Sequence, residues 1–314
     1  MVKTPIENIP VNINNSEDLK GMDDISKPVV FPKVNSMVPG LYPVATPIGN
    51  LRDITLRALD VLNVADVVVC EDTRITRRLL NAYGITTKMV VYHEHNAQSV
   101  RPKLIQQLQE GAIIALVTDA GTPLVSDPGY KLVREATQAG VSVFPIPGAA
   151  APIAALVTSG LPSDRFLFAG FPPVKAGQKR NWLEDLGGID TTLILFESPK
   201  RLTATIKVLA DLWPTREAAV ARELTKKFEE IKRDTLASLS DRYTKLGNPK
   251  GEIVIVIGPP APEEAIAEAD AETLLIQALE VMSVRDAAAT VAKATGQHKK
   301  ALYARALELS AVKK

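Results

Sequence analysis

A long polar loop between an apolar strand and an amphipathic helix is the feature that most constrains this chain. Residues 112–117 form an apolar run typical of a buried strand, and Leu132, Val133 and Ala136 recur at helical spacing further on. Between them, residues 118–129 read TDAGTPLVSDPG. A plain connection needs only about two to six residues. The loop therefore predicts a ligand-binding feature at the carboxyl end of a strand, with an elaborate turn as the alternative.

Other loops of the same kind follow the other predicted strands in the first half of the chain. Strands are predicted at residues 40–45, 67–70, 89–92, 112–117 and 141–146, with helical patterns between most of them. This alternation implies an α/β fold with a mostly parallel sheet, whose loops meet at one edge. The loops that would converge there are PIGNLRD, EDTR, DAGTPLVSDPG and PGAAAP. Because they are polar or rich in Gly and Pro, they predict a shared ligand cleft.

The rest of the chain predicts a second α/β unit and a helical tail. Strands are predicted at residues 166–169, 192–196, 218–221 and 252–257, and basic pairs recur near the loops between them. A Pro-rich stretch at 259–262 is typical of a stiff linker. The helix, Gly-containing turn and helix beyond it are typical of a helix-turn-helix, although a plain three-helix docking module has the same spacing.

These patterns divide the chain into five parts. We expect a mobile N-terminal extension over residues 1–38, because this segment is polar and has no sustained period. The α/β domains are expected over residues 39–150 and 151–258, the linker over 259–264 and the helix-turn-helix-like module over 265–314.

Composition excludes several classes of protein. The formal net charge is +1, so contacts with nucleic acid would have to come from local basic patches. Cys70 is the single cysteine, which excludes a disulfide framework and a cysteine-based zinc site. No apolar run approaches the roughly 20 residues of a membrane-spanning helix. A soluble cytoplasmic protein is therefore the expectation.

The motifs together closely resemble one enzyme family. LYPVATPIGNLRDIT, VVVCEDTR, VTDAGTPLVSDPG, PIPGAAAPIAALVTSGLP and LFESPKR are similar, in this order, to the motifs of the ribosomal RNA small-subunit methyltransferase I family. That family lies within the tetrapyrrole-methylase superfamily. The resemblance spans about residues 40–260, and the tail resembles the family's helix-turn-helix extension.

The resemblance implies a fold, a reaction and a cofactor. The fold would have two α/β domains with a cofactor cleft between them. The reaction would be 2′-O-methylation of a cytidine ribose in the decoding region of small-subunit (16S) rRNA, with S-adenosyl-L-methionine as the methyl donor. The partners would be that rRNA or the assembled 30S subunit, and the protein would be a homodimer. The implied cofactor-binding residues are Pro47, Asp119, Gly121, Thr122, Ser126, Ala149, Ala150, Ala221, Gly251, Glu252 and Ile253.

Carboxylates in the loops are candidates for catalysis. A base could accept the proton of the ribose hydroxyl, and Glu71, Asp72 and Glu197 each lie in a loop at the predicted cleft edge. Each could equally be a structural carboxylate that pairs with Arg74 or Arg201. The candidates for contacts with RNA phosphates are Arg74, Arg77, Lys200, Arg201, Lys299 and Lys300.

Alternative functions remain open at this point. A small-molecule tetrapyrrole methylase would share the fold but would need neither the basic loops nor the helical tail. A non-catalytic ribosome- or RNA-binding protein would have no use for intact cofactor loops. His93 and His95 suggest a metal site, but two histidines without a third ligand are a weak case, and we expect a structural or substrate-side role for them.

Overall fold

Short, fully apolar strands build the first sheet. The computed structural model describes residues 37–126, 129–260, 271–295 and 297–312, and the account below concerns Pro39–Lys314. The predicted extension lies outside the described residues except for its last two positions. Strands β1 to β4 span Gly40–Pro43, Val67–Cys70, Met89–Val91 and Ile113–Leu116. They pair in the order β1-β4-β2-β3, and every pairing is parallel, as the alternation with helices predicted.

Helices connect these strands and cover the sheet. Helices α1 to α4 span Leu56–Val64, Thr73–Ala82, Ala97–Gln109 and Tyr130–Gln138. The side chain of Thr55 accepts a hydrogen bond from the Ala58 amide and caps α1, and Asp72 caps α2 through the Arg74 amide. The core of this part of the chain includes Leu41 and Leu132.

The predicted fifth strand at residues 141–146 is not a continuous strand. The chain runs parallel to β1 there and forms isolated bridges, Leu41 with Val143 and Val44 with Ile146. Pro145 and Pro43 have no amide hydrogen, so neither can donate to a regular ladder. The segment still closes the edge of the sheet through hydrogen bonds such as Phe144 N to Leu41 O, at 2.9 Å.

The second sheet has mixed pairing. Strands β5 to β9 span Phe166–Gly170, Thr192–Glu197, Glu217–Arg222, Glu230–Thr235 and Ile253–Ile257, in the order β5-β6-β9-β7-β8. Only the β5–β6 pairing is parallel among these five strands. Helices α5 to α8 span Ala151–Ser159, Ala176–Gly187, Leu202–Leu212 and Leu236–Leu246. The division into domains at residue 150 stays a prediction, although α5 does pack on the second sheet.

Strand β8 was not predicted from the sequence; its residues Lys232 and Arg233 are one of the basic pairs noted near the loops of this part of the chain. Its sequence, EIKRDT, lacks the apolar alternation of a half-buried strand. The structure places it at the edge of the sheet, where charged residues discourage pairing with another chain.

The tail is helical, as predicted. Residues 271–278 are helical, and two further helices follow, α9 at Val284–Thr295 and α10 at Lys299–Val312. Ser283 Oγ lies 2.7 Å from Asp286 Oδ2 and accepts from the Asp286 amide, so these two residues cap α9. Small and apolar side chains from all three helical segments share one core. Within the described ranges, no helix has the length and apolar content needed to cross a bilayer.

A buried charge network fixes the end of β6. The Glu197 side chain is fully buried, and its Oε1 accepts from Arg201 Nη2 at 2.6 Å and from the Ser198 amide at 2.7 Å. Its Oε2 accepts from the Thr205 hydroxyl. The Lys179 ammonium, also buried, donates to the same hydroxyl at 2.6 Å and lies 4.0 Å from Glu197. Burial lowers the pKa of Lys179, while the Glu197 charge raises it. The network joins α6, β6 and α7.

We predict that Glu197→Ala lowers the free energy of unfolding by about 3–5 kcal/mol, because it leaves buried cations without their partner. Chemical denaturation checks this. The control is Asp190→Ala, which removes the exposed pair with Arg165 and should cost less than about 1 kcal/mol. Equal losses in the two variants would contradict the structural role of Glu197.

Candidate active site

The first cavity lies between loops of the two sheets and has a volume of about 380 Å³. Many of the residues predicted to bind the cofactor line it, namely Asp119, Gly121, Thr122, Ser126, Ala150, Ala221, Glu252 and Ile253. The others do not line it but lie beside residues that do. Ala149 O accepts a hydrogen bond from Thr122 Oγ1 at 3.1 Å, and Pro47 and Gly251 are chain neighbours of lining residues.

Gly121 brings the backbone of the central loop close to the first loop. It pairs with Thr46 in an antiparallel bridge and has a φ of 81°. A Cβ at this position would lie 3.2 Å from Ile48 Cγ2, so a larger residue would crowd the cavity. Leu124 and Ser126 in the same loop also have positive φ, a conformation that clusters at ligand-binding sites in proteins.

The lining of this cavity is mainly apolar, with carboxylates at its edges. The rings of Phe171 and Phe196 lie 5.3 Å apart, and both line the cavity. Neither ring was predicted from the sequence to belong to the site. The available signal was the aromatic Phe171, two positions after the predicted strand at 166–169. Asp119 and Glu197 provide negative charge at the cavity wall.

A second cavity adjoins the first. Its volume is about 450 Å³, and it is lined by Glu71, Asp72, Thr73, Val91, His93, His95 and Asp119. Asp119 is the residue that lines both cavities. Its Oδ1 accepts a hydrogen bond from the Asp72 amide at 3.2 Å. Burial raises the pKa of Asp119, and the Asp72 charge acts in the same direction.

The three carboxylates predicted to be catalytic have different surroundings. Asp72 caps α2 and pairs with Arg74 at 2.6 Å, and hydrogen bonds from Arg74 lower its pKa to about 2. Glu197 is fully engaged in the buried network. Glu71 makes no hydrogen bond or ion pair within the described part of the chain, and burial raises its pKa. Asp72 and Glu197 are therefore poor proton acceptors.

The cations predicted to contact RNA also differ in their availability. The exposed ones without an ion pair among the described residues are Arg77, Lys200, Lys299 and Lys300. The Arg74 side chain is 86% exposed despite its pair with Asp72. Arg201 is engaged with Glu197 and donates to Pro172 O at 3.2 Å. It acts as a brace between two loops of the first cavity.

Comparison with known proteins identifies the class. Residues 40–240 match the family described as Tetrapyrrole (Corrin/Porphyrin) Methylases. A solved cobalt precorrin-4 methyltransferase has the same fold, with a TM-score of 0.53, 21% identity and coverage of 69% of this chain and 94% of its own. A diphthine synthase structure gives a TM-score of 0.53 at 19% identity and covers 69% of this chain and 89% of its own. The chain belongs to the tetrapyrrole-methylase family and is a methyltransferase.

Curated relatives narrow the family further. The Mesorhizobium japonicum protein named ribosomal RNA small subunit methyltransferase I is 55% identical, over 86% of this chain and 92% of its own length. The protein of the same name from Neisseria meningitidis serogroup B is 43% identical, over 87% and 95%. Residues 265–310 match the RsmI C-terminal HTH domain. The chain therefore belongs to the ribosomal RNA small subunit methyltransferase I family, whose methyl donor is S-adenosylmethionine.

The first cavity has the features that this methyl donor needs. S-adenosylmethionine carries a sulfonium cation, an amino acid and an adenosine, so it requires acceptors, apolar walls and close backbone approach. The Asp119 carboxylate and the Phe171 and Phe196 rings meet the first two needs. Gly121 meets the third, because a Cβ there would close the space beside Ile48. The residues present fit the cofactor.

We predict that Gly121→Val abolishes measurable S-adenosylmethionine binding while the protein stays folded. The added side chain would fill the space beside Ile48 and would resist the positive φ. Calorimetric titration and a melting curve check both parts. The control is Gly140→Val, which has a similar φ of 75° but open space around it. Wild-type affinity in folded Gly121→Val would remove this loop from the cofactor site.

Proposed function

We propose that this protein transfers a methyl group from S-adenosylmethionine to the 2′-oxygen of a cytidine ribose in the decoding region of small-subunit (16S) rRNA. The observation that carries the proposal is the position of Asp119, which lines both cavities. A two-substrate transfer needs a donor site and an acceptor site that share a wall. The curated relatives carry the name of an rRNA methyltransferase, and the tail supplies a second surface for RNA.

The first cavity would hold the donor. The sulfonium of the cofactor supplies an already activated methyl group. The protein's contribution is orientation, because a ribose oxygen must lie in line with the bond that breaks. Phe171 and Phe196 would keep water out on one side, and the bridge between Thr46 and Gly121 fixes the opposite wall.

Asp119 is the best-placed proton acceptor for the ribose hydroxyl. It faces the donor cavity and the adjoining cavity, whereas Glu71 lines only the second. One of its oxygens accepts from the Asp72 amide, and the other makes no hydrogen bond within the described residues. Its raised pKa makes it a stronger base than an ordinary aspartate. This proposal replaces Glu71, Asp72 and Glu197 in that role.

The exposed cations would hold the RNA backbone. Lys200 lies in the short turn after β6, next to Ser198 and Pro199 of the first cavity. Arg74 can exchange Asp72 for a phosphate at low cost, because exposed ion pairs contribute little. Lys299 and Lys300, at the start of α10, would contact phosphates from the tail.

The proposal also covers the oligomeric state of the protein and the form of its RNA substrate. We propose that the substrate is the rRNA or the assembled 30S subunit in the cytoplasm, and that the protein is a homodimer. Supporting the dimer, Ile153 and Val157 lie on one face of α5 and are 43% and 71% exposed. A second copy would cover this face, and sedimentation of Val157→Glu would test it.

The experiment that tests the function is mass mapping of ribose methylation on small-subunit rRNA from cells with and without this protein. A ribose methyl on a cytidine should disappear without it and return when the purified protein and cofactor are added. A tetrapyrrole methylase would leave the rRNA pattern unchanged and would methylate a porphyrinoid instead. A non-catalytic binding protein would bind the particles without adding methyl groups.

We predict that Asp119→Asn lowers kcat by about 10²- to 10⁴-fold, the usual contribution of a general base. The wild-type kcat should fall as pH drops through the raised pKa of Asp119, because only the carboxylate accepts a proton. That fall should be absent in Asp119→Asn. The comparison variant is Asp72→Asn, which keeps a capping side chain; its kcat should still fall with pH, but at a lower pH, because the Asp72 charge helps to raise the pKa of Asp119. An unchanged pH profile in Asp119→Asn would assign the proton to another group.

We predict that Lys200→Ala weakens RNA binding with little sequence preference and leaves cofactor affinity unchanged. If Lys200 neutralises one phosphate, the log–log salt slope should fall by about 0.7 on a single strand. Binding measured at several salt concentrations checks this. The matched control is Lys207→Ala, an exposed lysine on α7. A salt slope like that of the control would exclude a phosphate contact at Lys200.

A further inference from the structure

We propose that the second cavity receives the base of the target nucleotide, and that Glu71 and His93 select cytosine there. The inference rests on the proposed function and adds the residues that determine its base specificity. The carrying observation is a cavity that shares Asp119 with the donor cavity and is lined by the half-buried Glu71 and by His93, whose buried Nδ1 has no hydrogen-bond partner among the described residues.

The cavity has the size and position for one nucleoside. Its volume of about 450 Å³ falls within the usual range for small-molecule sites. A ribose placed at Asp119, with its hydroxyl towards the donor, leaves the base to extend away from the donor cavity. Glu71, Asp72 and Asp119 line this space, and their carboxylates would repel a phosphate. The occupant that fits is therefore an uncharged group that offers N–H donors.

Glu71 and His93 are the groups without partners. Glu71 follows the last residue of β2 and makes no hydrogen bond or ion pair within the described residues. The Nδ1 atom of His93 is buried and also has no hydrogen-bond partner in that part of the chain. A buried polar atom such as His93 Nδ1 seldom lacks a protein partner, because it has lost its contacts with water, whereas the Glu71 side chain is only half-buried. A ligand in the cavity would offer both side chains a hydrogen-bond partner.

A tight turn holds the backbone at His93 in place. The backbone amide of His93 donates to Asn96 Oδ1 at 2.9 Å, and Asn96 Nδ2 donates to Val91 O at 2.9 Å. The His95 ring packs edge-on against His93, with 5.7 Å between the ring centroids. These contacts fix the backbone at His93 and give its ring one packing partner before any ligand arrives. Among the described residues, no group of three or more His, Cys, Asp or Glu is arranged to hold a metal ion.

This donor and acceptor pattern matches cytosine and opposes uracil. The exocyclic amino group of cytosine would donate to the Glu71 carboxylate, a pairing also used to read cytosine in DNA. An imidazole N–H of His93 would donate to the ring nitrogen or the carbonyl of the same base. Uracil presents a carbonyl where cytosine has its amino group, so it would face a carboxylate with two acceptors and no donor.

The test measures the choice between cytidine and uridine. Small-subunit particles that lack the modification are prepared with cytidine or uridine at the mapped position. The values of kcat/KM for the two acceptors are then compared for the wild type, Glu71→Gln, His93→Gln and the matched control Glu94→Gln. Glu94 is exposed and does not line the cavity. Cofactor affinity is measured in parallel to show that each variant is folded.

We expect the wild type and Glu94→Gln to prefer cytidine strongly. Glu71→Gln should reduce that preference by roughly ten- to a hundredfold, because an amide offers a donor to the uracil carbonyl. His93→Gln should reduce it in the same direction. The inference would be overturned if Glu71→Gln kept the wild-type ratio of kcat/KM for cytidine to kcat/KM for uridine. This holds even if both values fell by the same factor. Failure of the wild type to methylate either particle would overturn the proposed function as well.

Discussion

A single buried carboxylate, Glu197, fixes the wall of the first cavity that the second sheet provides. It is the last residue of β6, and it binds a lysine from α6, a hydroxyl from α7 and the arginine of the following turn. Because Arg201 also donates to Pro172 O, the network reaches the loop that carries Phe171. Removing either charge would leave the other buried without a partner, which is costly in a protein interior.

On the wall that the first sheet provides, Asp119 joins the two neighbouring loops. The parallel order of the first sheet places the loops after β2 and β4 side by side, since these strands are direct neighbours. The Asp72 amide, after β2, can therefore reach the Asp119 carboxylate, after β4. Although Asp72 and Asp119 lie next to each other, their carboxylates have different properties. Arg74 keeps Asp72 ionised, while burial leaves Asp119 a stronger base.

The sequence allowed the loops of the first sheet to be predicted because strand and helix periods alternate clearly there. Gly121 and Thr122 were predicted by family resemblance, and the structure places them at the first cavity. Strand β8 could not be predicted, because an exposed edge strand needs no apolar alternation. The roles of Glu197 and Arg201 were ambiguous for a different reason. A sequence gives the type of each charged residue, whereas its partner depends on folding.

The loops around the first cavity are held in unusual conformations before any ligand binds. Leu124 and Ser126 on one side, and Glu223 and Thr225 on the other, have positive φ, at a cost of about 1–3 kcal/mol each. Neighbouring hydrogen bonds offset that cost. The Asn50 amide donates to Thr225 Oγ1 at 3.2 Å, and so joins the first loop to the second sheet. Loops fixed in this way need little further ordering when the cofactor binds, so more of the binding energy remains for orienting the acceptor.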